Sequence, residues 1–172
     1  MGRARTSGTR AAKGESESAA RAAAPGMRVL CISGPNLQLL GTREPHLYGG
    51  ETLAQIHERL VARGRALGVE VDARQSNYEG EIVSWIGEAR AAGVHGLLLN
   101  AAAYTHTSIA ILDALRAVAL PCVEVHLSHP EAREPFRRRS RIAPACVGRV
   151  SGFRGESYLL GLEGLAGHLR AG

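Results

Sequence analysis

The 172-residue sequence is 45% hydrophobic, carries a formal net charge of +5 and contains three cysteines. This length and apolar content suffice for one domain with its own core, which excludes a small scaffold that depends on disulfides. Cys31, Cys122 and Cys146 are odd in number and lie in apolar runs, which argues against a disulfide framework or a zinc cluster. We expect buried thiols and a reducing, cytoplasmic location.

Residues 1–26 differ in composition from the rest of the chain. They are rich in Ala, Arg, Gly and Ser and contain almost no large apolar residues, so burial cannot offset the entropy cost of ordering them. We predict a disordered extension over 1–26 and a single folded domain over 27–172. The Arg and Ser content is also typical of an organelle transit peptide, although Glu15 and Glu17 count against that. No apolar stretch in the sequence is long enough for a transmembrane helix, so we expect no membrane partner.

Lysine is absent from the sequence after Lys13. A Schiff-base lysine and the lysine of a P-loop are therefore excluded from the predicted domain.

Strands and helices are predicted to alternate from Met27 onward, because period-2 or continuous apolar runs are each followed by a helical pattern. Thr52 with Gln55, and Ser128 with Glu131, have the spacing of capping boxes at two helix starts. The predicted pairs are strand 27–33 with helix 51–68, strand 69–75 with helix 79–93, strand 94–100 with helix 105–118, strand 121–127 with helix 131–139, and strand 145–152 with helix 155–169.

Five such pairs predict an α/β fold with a doubly wound parallel sheet in the strand order 2-1-3-4-5. In that order, ligands bind beyond the carboxyl ends of the strands, near the switch point between strands 1 and 3. Several polar residues follow the strands and should share this edge, namely Asn36, Arg43, Tyr48, Asn100, His106, Glu124, His126 and Ser128. This set lacks a metal cluster and a nucleophile elbow, and it suits proton transfer on a small, hydroxyl-rich, anionic molecule.

Tyr48 lies on a long predicted loop with Arg43. A tyrosine titrates near pH 10, so about one in a thousand is phenolate at neutral pH, and a nearby guanidinium lowers the pKa by roughly one to three units. Tyr48 is thus either a catalytic base or a half-buried loop anchor, and the nearby Arg43 favours the base.

Glu124 and His126 alternate along strand 4, so their side chains point to one face, where the carboxylate could orient the imidazole. A buried structural pair is an equally good interpretation of these two residues alone. His106 is either a ligand contact or a neighbour of a helix cap, and we interpret His57 as a packing residue.

Two further patterns point away from nucleotides and nucleic acids. "GPNLQLLG" lacks the glycine spacing of a dinucleotide-binding fingerprint, so we expect no such cofactor. "FRRRSR", residues 136–141, could contact nucleic acid, but a solvated helix end with one inward arginine is the better interpretation.

Five blocks in this order resemble type II 3-dehydroquinate dehydratase, the lysine-free dehydroquinase, over roughly residues 27–169. They are "GPNLQLLGTREPHLYG", "QSNYEGEIVSWI", "NAAAYTHTSIAILDAL", "EVHLSHPEAREPFRRRS" and "GFRGESYLLGL". The resemblance implies that 27–172 is a catalytic domain of flavodoxin-like fold that uses no cofactor or metal. It also implies a homo-oligomer, a dodecamer built as a tetramer of trimers, that converts 3-dehydroquinate to 3-dehydroshikimate by anti elimination of water.

The resemblance further implies residue roles. Tyr48 would be the base, with Arg43 lowering its pKa, and His126 the acid, held by Glu124, while the loop carrying Tyr48 would close over substrate. Asn36 would hold a water that stabilises the enolate. Asn100, His106 and Arg137 would bind substrate hydroxyls, and Asp113 would reach the site of a neighbouring subunit. The backbone amides of Leu127 and Ser128 would bind the substrate carboxylate, which agrees with the anion affinity of amides that begin a helix.

The sequence departs from the usual family pattern at Gln38, Tyr78, Ala102, His129 and Pro130. Ala102 stands where a glycine is usual, and a glycine there permits close approach of the backbone to a ligand. A catalytically silent homologue that only binds a small ligand is therefore the alternative hypothesis.

Overall fold

The computed structural model describes residues 1, 26–42 and 49–172. Its sheet has five parallel strands in the order β2-β1-β3-β4-β5, which confirms the predicted fold class and strand order. The strands are β1 (Met27–Ser33), β2 (Val69–Gln75), β3 (Gly96–Asn100), β4 (Cys122–His126) and β5 (Gly148–Ser151). The predicted disorder of 1–26 lies almost wholly outside the described residues.

The helices of the described residues are α1 (Leu53–Ala66), α2 (Glu79–Glu88), α3 (Tyr104–Thr107), α4 (Ile109–Val118) and α5 (Glu156–Ala171). Short 3-10 turns span Leu37–Leu39, Pro130–Ala132, Pro135–Arg138 and Ala143–Ala145. The capping box at α1 is confirmed, because Thr52 Oγ1 accepts from the Gln55 amide at 3.3 Å and Gln55 Oε1 accepts from the Thr52 amide at 2.9 Å.

The sheet separates two apolar layers, as expected for a parallel sheet that is covered on both faces. Side chains alternate along β1, so Val29 and Cys31 pack with α1 and α5, whereas Leu30 and Ile32 pack with α2 and α4. Both layers are closed to solvent, so the carboxyl ends of the strands are left as the place for a ligand.

The helix predicted over 105–118 is interrupted. Ser108 ends α3 with an extended backbone and begins α4, where its Oγ accepts from the Ile111 amide at 2.8 Å. The serine competes with the helix for backbone hydrogen bonds, which the apolar periodicity did not reveal. The break leaves His106 on its own short turn.

The helix predicted over 131–139 was wrong, as was its capping box. Two 3-10 turns occupy this segment, and neither Ser128 nor Glu131 caps a helix there. Pro135 disfavours a helical conformation at Glu134 and has no amide hydrogen to donate, so a continuous helix cannot form. Glu131 instead forms an ion pair with Arg149 of β5.

Candidate active site

A single cavity lies at the carboxyl ends of β1, β3 and β4, where the topology predicts a ligand site. It collects seven of the eleven site residues predicted from the sequence, together with apolar neighbours. Its lining residues are Pro35, Asn36, Leu37, Leu40, Asn100, Ala102, Ala103, His106, His126, Leu127, Ser128, Pro130, Arg133 and Arg137.

His126 and Glu124 form a buried pair at one wall of this cavity. Glu124 is fully buried, and its Oε1 lies 2.5 Å from His126 Nε2. Its other oxygen, Oε2, accepts from Ser140 Oγ at 2.8 Å. Burying a carboxylate is costly unless its oxygens are hydrogen-bonded, and here both are. The carboxylate therefore fixes the imidazole, whose ring reaches the cavity.

His106 approaches the cavity from the turn of α3. Its Nδ1 lies 2.9 Å from the Arg139 carbonyl oxygen, and a carbonyl only accepts, so Nδ1 carries the hydrogen. Burial lowers the pKa of His106, partly opposed by this hydrogen bond. The neutral ring then presents Nε2 as a hydrogen-bond acceptor.

Asn100 ends β3 beside the switch point. It is buried, its Oδ1 accepts from the Ala102 amide at 3.2 Å, and its Nδ2 has no hydrogen-bond partner among the described residues. A buried donor without a partner is unfavourable, so this amide is suited to donate to a bound ligand.

Gly34 sets the distance between the ends of β1 and β3. Its amide donates to the Asn100 carbonyl at 2.8 Å, and a Cβ on Gly34 would lie 2.7 Å from the Ala101 carbonyl oxygen. Only glycine fits there without displacing backbone. The next turn places Asn36 at the cavity in a left-handed conformation, with φ +66°, which asparagine tolerates.

Ala102 also has a left-handed backbone, with φ +50°. An L-residue in this conformation costs about 1–2 kcal/mol, which explains why a glycine would suit the position. The hydrogen bond from its amide to Asn100 maintains the turn. Of the other departures, Tyr78 is 76% exposed and is not among the residues that line the cavity.

Arginines supply the positive charge of the cavity. Arg137 donates from Nε to Glu134 Oε2 at 2.9 Å, and its guanidinium lies 4.9 Å from the Phe136 ring centroid. Arg133, which was not predicted from the sequence, also lines the cavity and donates to Ser128 Oγ at 3.4 Å. Residues 133–141 contain several arginines, and the sequence offers no criterion that assigns Arg133 to the cavity.

The backbone amides of Leu127 and Ser128 were expected to attract an anion because they would begin a helix. That reason fails, since a three-residue 3-10 turn follows them in place of an α-helix. Both residues nevertheless line the cavity beside the two arginines.

Three predicted site residues are not found at the cavity among the described residues, for two different reasons. Asp113 is exposed on α4 and does not line the cavity of this chain. Arg43 and Tyr48 lie outside the described residues, so their predicted roles stay predictions.

The described part of the chain contains no group of three or more His, Cys, Asp or Glu side chains placed to hold a metal ion. Within the same residues, each helix is too short or too polar to cross a bilayer.

A family model described as dehydroquinase class II matches residues 27–166. The chain belongs to the class II dehydroquinase family. It is therefore an enzyme of the hydro-lyase class.

Two relatives named 3-dehydroquinate dehydratase are similar along nearly their whole length. The protein of Rhizobium johnstonii is 51% identical over 137 residues, covering 80% of this chain and 94% of that protein. The protein of a Synechococcus species is 53% identical over 146 residues, covering 85% and 99%. The crystal structure of type II dehydroquinase from Butyrivibrio crossotus superposes with a TM-score of 0.80 at 38% identity, covering 81% of this chain and 97% of that one.

Proposed function

We propose that this dehydroquinase converts 3-dehydroquinate to 3-dehydroshikimate by anti elimination of water through an enolate. The observation that carries the proposal is the buried His126–Glu124 pair, which faces a cavity that two arginines also line. This arrangement joins a proton donor to a site for an anionic substrate, as the reaction requires.

His126 acts as the acid. A carboxylate beside an imidazole favours its charged form, and Glu124 receives the Nε2 hydrogen. The second ring nitrogen then gives its proton to the C1 hydroxyl, which leaves as water. Ser140 supports this step because it holds the other oxygen of Glu124.

Tyr48 acts as the base that takes the C2 proton, and Arg43 lowers its pKa so that a useful fraction is phenolate at neutral pH. The loop that carries both residues closes over substrate and excludes water while the enolate forms. Asn36 holds the water that stabilises the enolate oxygen.

Substrate is bound by three kinds of group. The backbone amides of Leu127 and Ser128 take the carboxylate, and Arg137 donates to a ring hydroxyl. Asn100 offers its unpaired amide hydrogens, and His106 offers its Nε2 lone pair, to the ring hydroxyls. These donors and acceptors complement the hydroxyl pattern of the substrate, and none of the proposed steps needs a cofactor.

An ultraviolet assay that follows the conjugated enone product tests this function. Because lysine is absent after Lys13, borohydride cannot trap a Schiff base in the domain, and we expect pretreatment to leave turnover unchanged. No turnover by folded protein, or inactivation by borohydride, would contradict the proposal.

Tyr48→Phe tests the base, because the change deletes only the phenolic oxygen. We expect loss of turnover by at least about 10²-fold. Tyr78→Phe is the matched control, since Tyr78 is exposed and outside the cavity. Arg43→Ala should move the basic limb of the pH profile, and an unchanged limb would remove Arg43 from the mechanism.

The proposal includes a cytoplasmic dodecamer in which Asp113 reaches the cavity of a neighbouring subunit. Its support is the exposure of Asp113 on α4, where Ile109 also exposes 60% of its surface. Light scattering on the purified protein should give the mass of twelve chains, and a monomer that turns over at full rate would reject it.

A further inference from the structure

Two of the three cysteines face one another next to the strand that carries Glu124 and His126. The Sγ atoms of Cys122 and Cys146 lie 3.8 Å apart, and both are free thiols. Cys122 begins β4, and Cys146 precedes β5. From this geometry we propose that Cys122 and Cys146 are a redox modification site, which a low-molecular-weight disulfide oxidises to an intramolecular disulfide.

Backbone hydrogen bonding brings the two cysteine-bearing segments together. The Val147 amide donates to the Cys122 carbonyl at 2.8 Å, so the two segments are hydrogen-bonded neighbours at the edge of the sheet. Hydrogen-bonded strands lie about 4.8 Å apart, and disulfides need Cα separations of about 4.4–6.8 Å. Joining the sulfurs, which lie 3.8 Å apart, requires side-chain rotation and a shift of the turn that carries Cys146.

The two thiols differ in accessibility. Cys122 is fully buried, whereas Cys146 is partly exposed. Cys146 is therefore the thiol that meets an external reagent, and Cys122 is the one that resolves the product.

The chemistry proceeds by two exchanges. The Cys146 thiolate attacks one sulfur of oxidised glutathione, forming a mixed disulfide and releasing one glutathione thiolate. The Cys122 thiolate then attacks Cys146 Sγ and releases the second glutathione. The two protein thiols lose two electrons and two protons, and both pass to the two molecules of glutathione formed.

The disulfide would act on the His126–Glu124 pair, because it cross-links positions 122 and 146 and both members of the pair lie between them in the sequence. The Cys146 Sγ contacts the Ile142 carbonyl at 3.5 Å, and the Ala143 amide donates to Ser140 Oγ at 3.0 Å. Ser140 in turn holds Glu124. A disulfide is about 2.05 Å long, so closing it pulls this turn toward β4 and disturbs the Ser140 contact.

The experiment incubates the full-length protein in glutathione buffers of increasing oxidised fraction, blocks free thiols, and maps disulfides by mass spectrometry. We expect a Cys122–Cys146 disulfide that is two hydrogens lighter than the dithiol and that dithiothreitol reverses. Cys31→Ser is the matched control and should leave it unchanged. Cys146→Ser should abolish it, while the variant still turns over.

A persistent glutathione adduct on Cys146, or a Cys122 that remains a free thiol throughout, would contradict the proposed modification site. The effect on turnover rests on the proposed function, but formation of the disulfide does not. We expect turnover to fall at least fivefold on oxidation and to recover on reduction. A complete disulfide with unchanged turnover would overturn the link to Glu124, and an inactive reduced protein would instead reject the proposed function.

Discussion

Two histidine clusters at the same edge of the sheet, one with a buried and one with a half-buried ring, differ in the group that each ring contacts. The cavity cluster consists of His126, Glu124 and Ser140, so its histidine contacts a carboxylate. In the strand cluster, Ser33 Oγ lies 3.1 Å from His57 Nε2 and 3.0 Å from the hydroxyl of Tyr158. The strand cluster therefore offers only neutral partners to its histidine.

The two clusters differ in the charge of the groups around the histidine. Burial lowers the pKa of His57 and raises the pKa of Tyr158, so both groups stay neutral near pH 7. The cavity cluster instead holds its histidine against a buried carboxylate. A buried histidine at the edge of a sheet is thus a candidate acid only when a charged partner accompanies it.

The largest expected effect comes from removing the charge of the cavity cluster. Glu124→Gln keeps the shape of the side chain and can still hydrogen-bond, but it no longer stabilises an imidazolium. We expect kcat to fall by about 10²-fold or more, because general acid catalysis contributes that much. Steady-state kinetics would measure this, and a kcat within threefold of the unmodified enzyme would remove Glu124 from the mechanism.

A smaller effect is expected from the strand cluster. Tyr158→Phe removes one buried hydrogen bond to Ser33, so the free energy of unfolding should fall by about 1 kcal/mol. Because the ring remains to fill the core, kcat should change by less than threefold. Urea unfolding and the enone assay test the two expectations, and a loss of kcat like that of Glu124→Gln would mean that both clusters serve the chemistry.

The smallest effect is on the pH dependence of stability. Because the pKa of His57 is lower in the folded than in the unfolded protein, the unfolded protein binds more protons as the pH falls below about 6.5. The stabilising contribution is complete above the unfolded pKa and is lost as the pH falls through the folded pKa.

His57→Gln removes this titration while its amide still reaches Ser33. Unfolding free energies measured between pH 7.5 and 5.5 should therefore fall less steeply for the variant than for the unmodified protein. His106, whose pKa is also lowered, is present in both proteins and cancels in the difference. Parallel slopes would show that His57 does not titrate over this range.

The fold was predictable because each strand and helix carries its own local signal. The five strand–helix repeats predicted the parallel sheet and its order, and the Thr52–Gln55 capping box predicted where α1 begins. Two segments were mispredicted, and in both a local residue overrode the apolar pattern. Ser108 interrupted one helix, and Pro135 prevented another.

The candidate site was predictable only in part. The side chains at the strand ends were found because parallel strands bring those ends together. Ser140 and Arg133 were missed, since their contacts depend on how the irregular segment after β4 folds back across the sheet. The apolar periodicity of a sequence does not predict the path of an irregular segment. The hydrogen bond from Ser140 to Glu124 joins residues sixteen positions apart.

The left-handed turn at Ala102 has a consequence for recognising distant relatives. Its conformation is maintained by hydrogen bonds to neighbours, because Asn100 Oδ1 holds the Ala102 amide and the Ala102 carbonyl accepts from Thr105 at 3.2 Å. The residue that occupies the turn can therefore change while the backbone keeps its path. A search pattern that demands glycine at this position would pass over chains such as this one, whereas a pattern anchored on Asn100 would retain them.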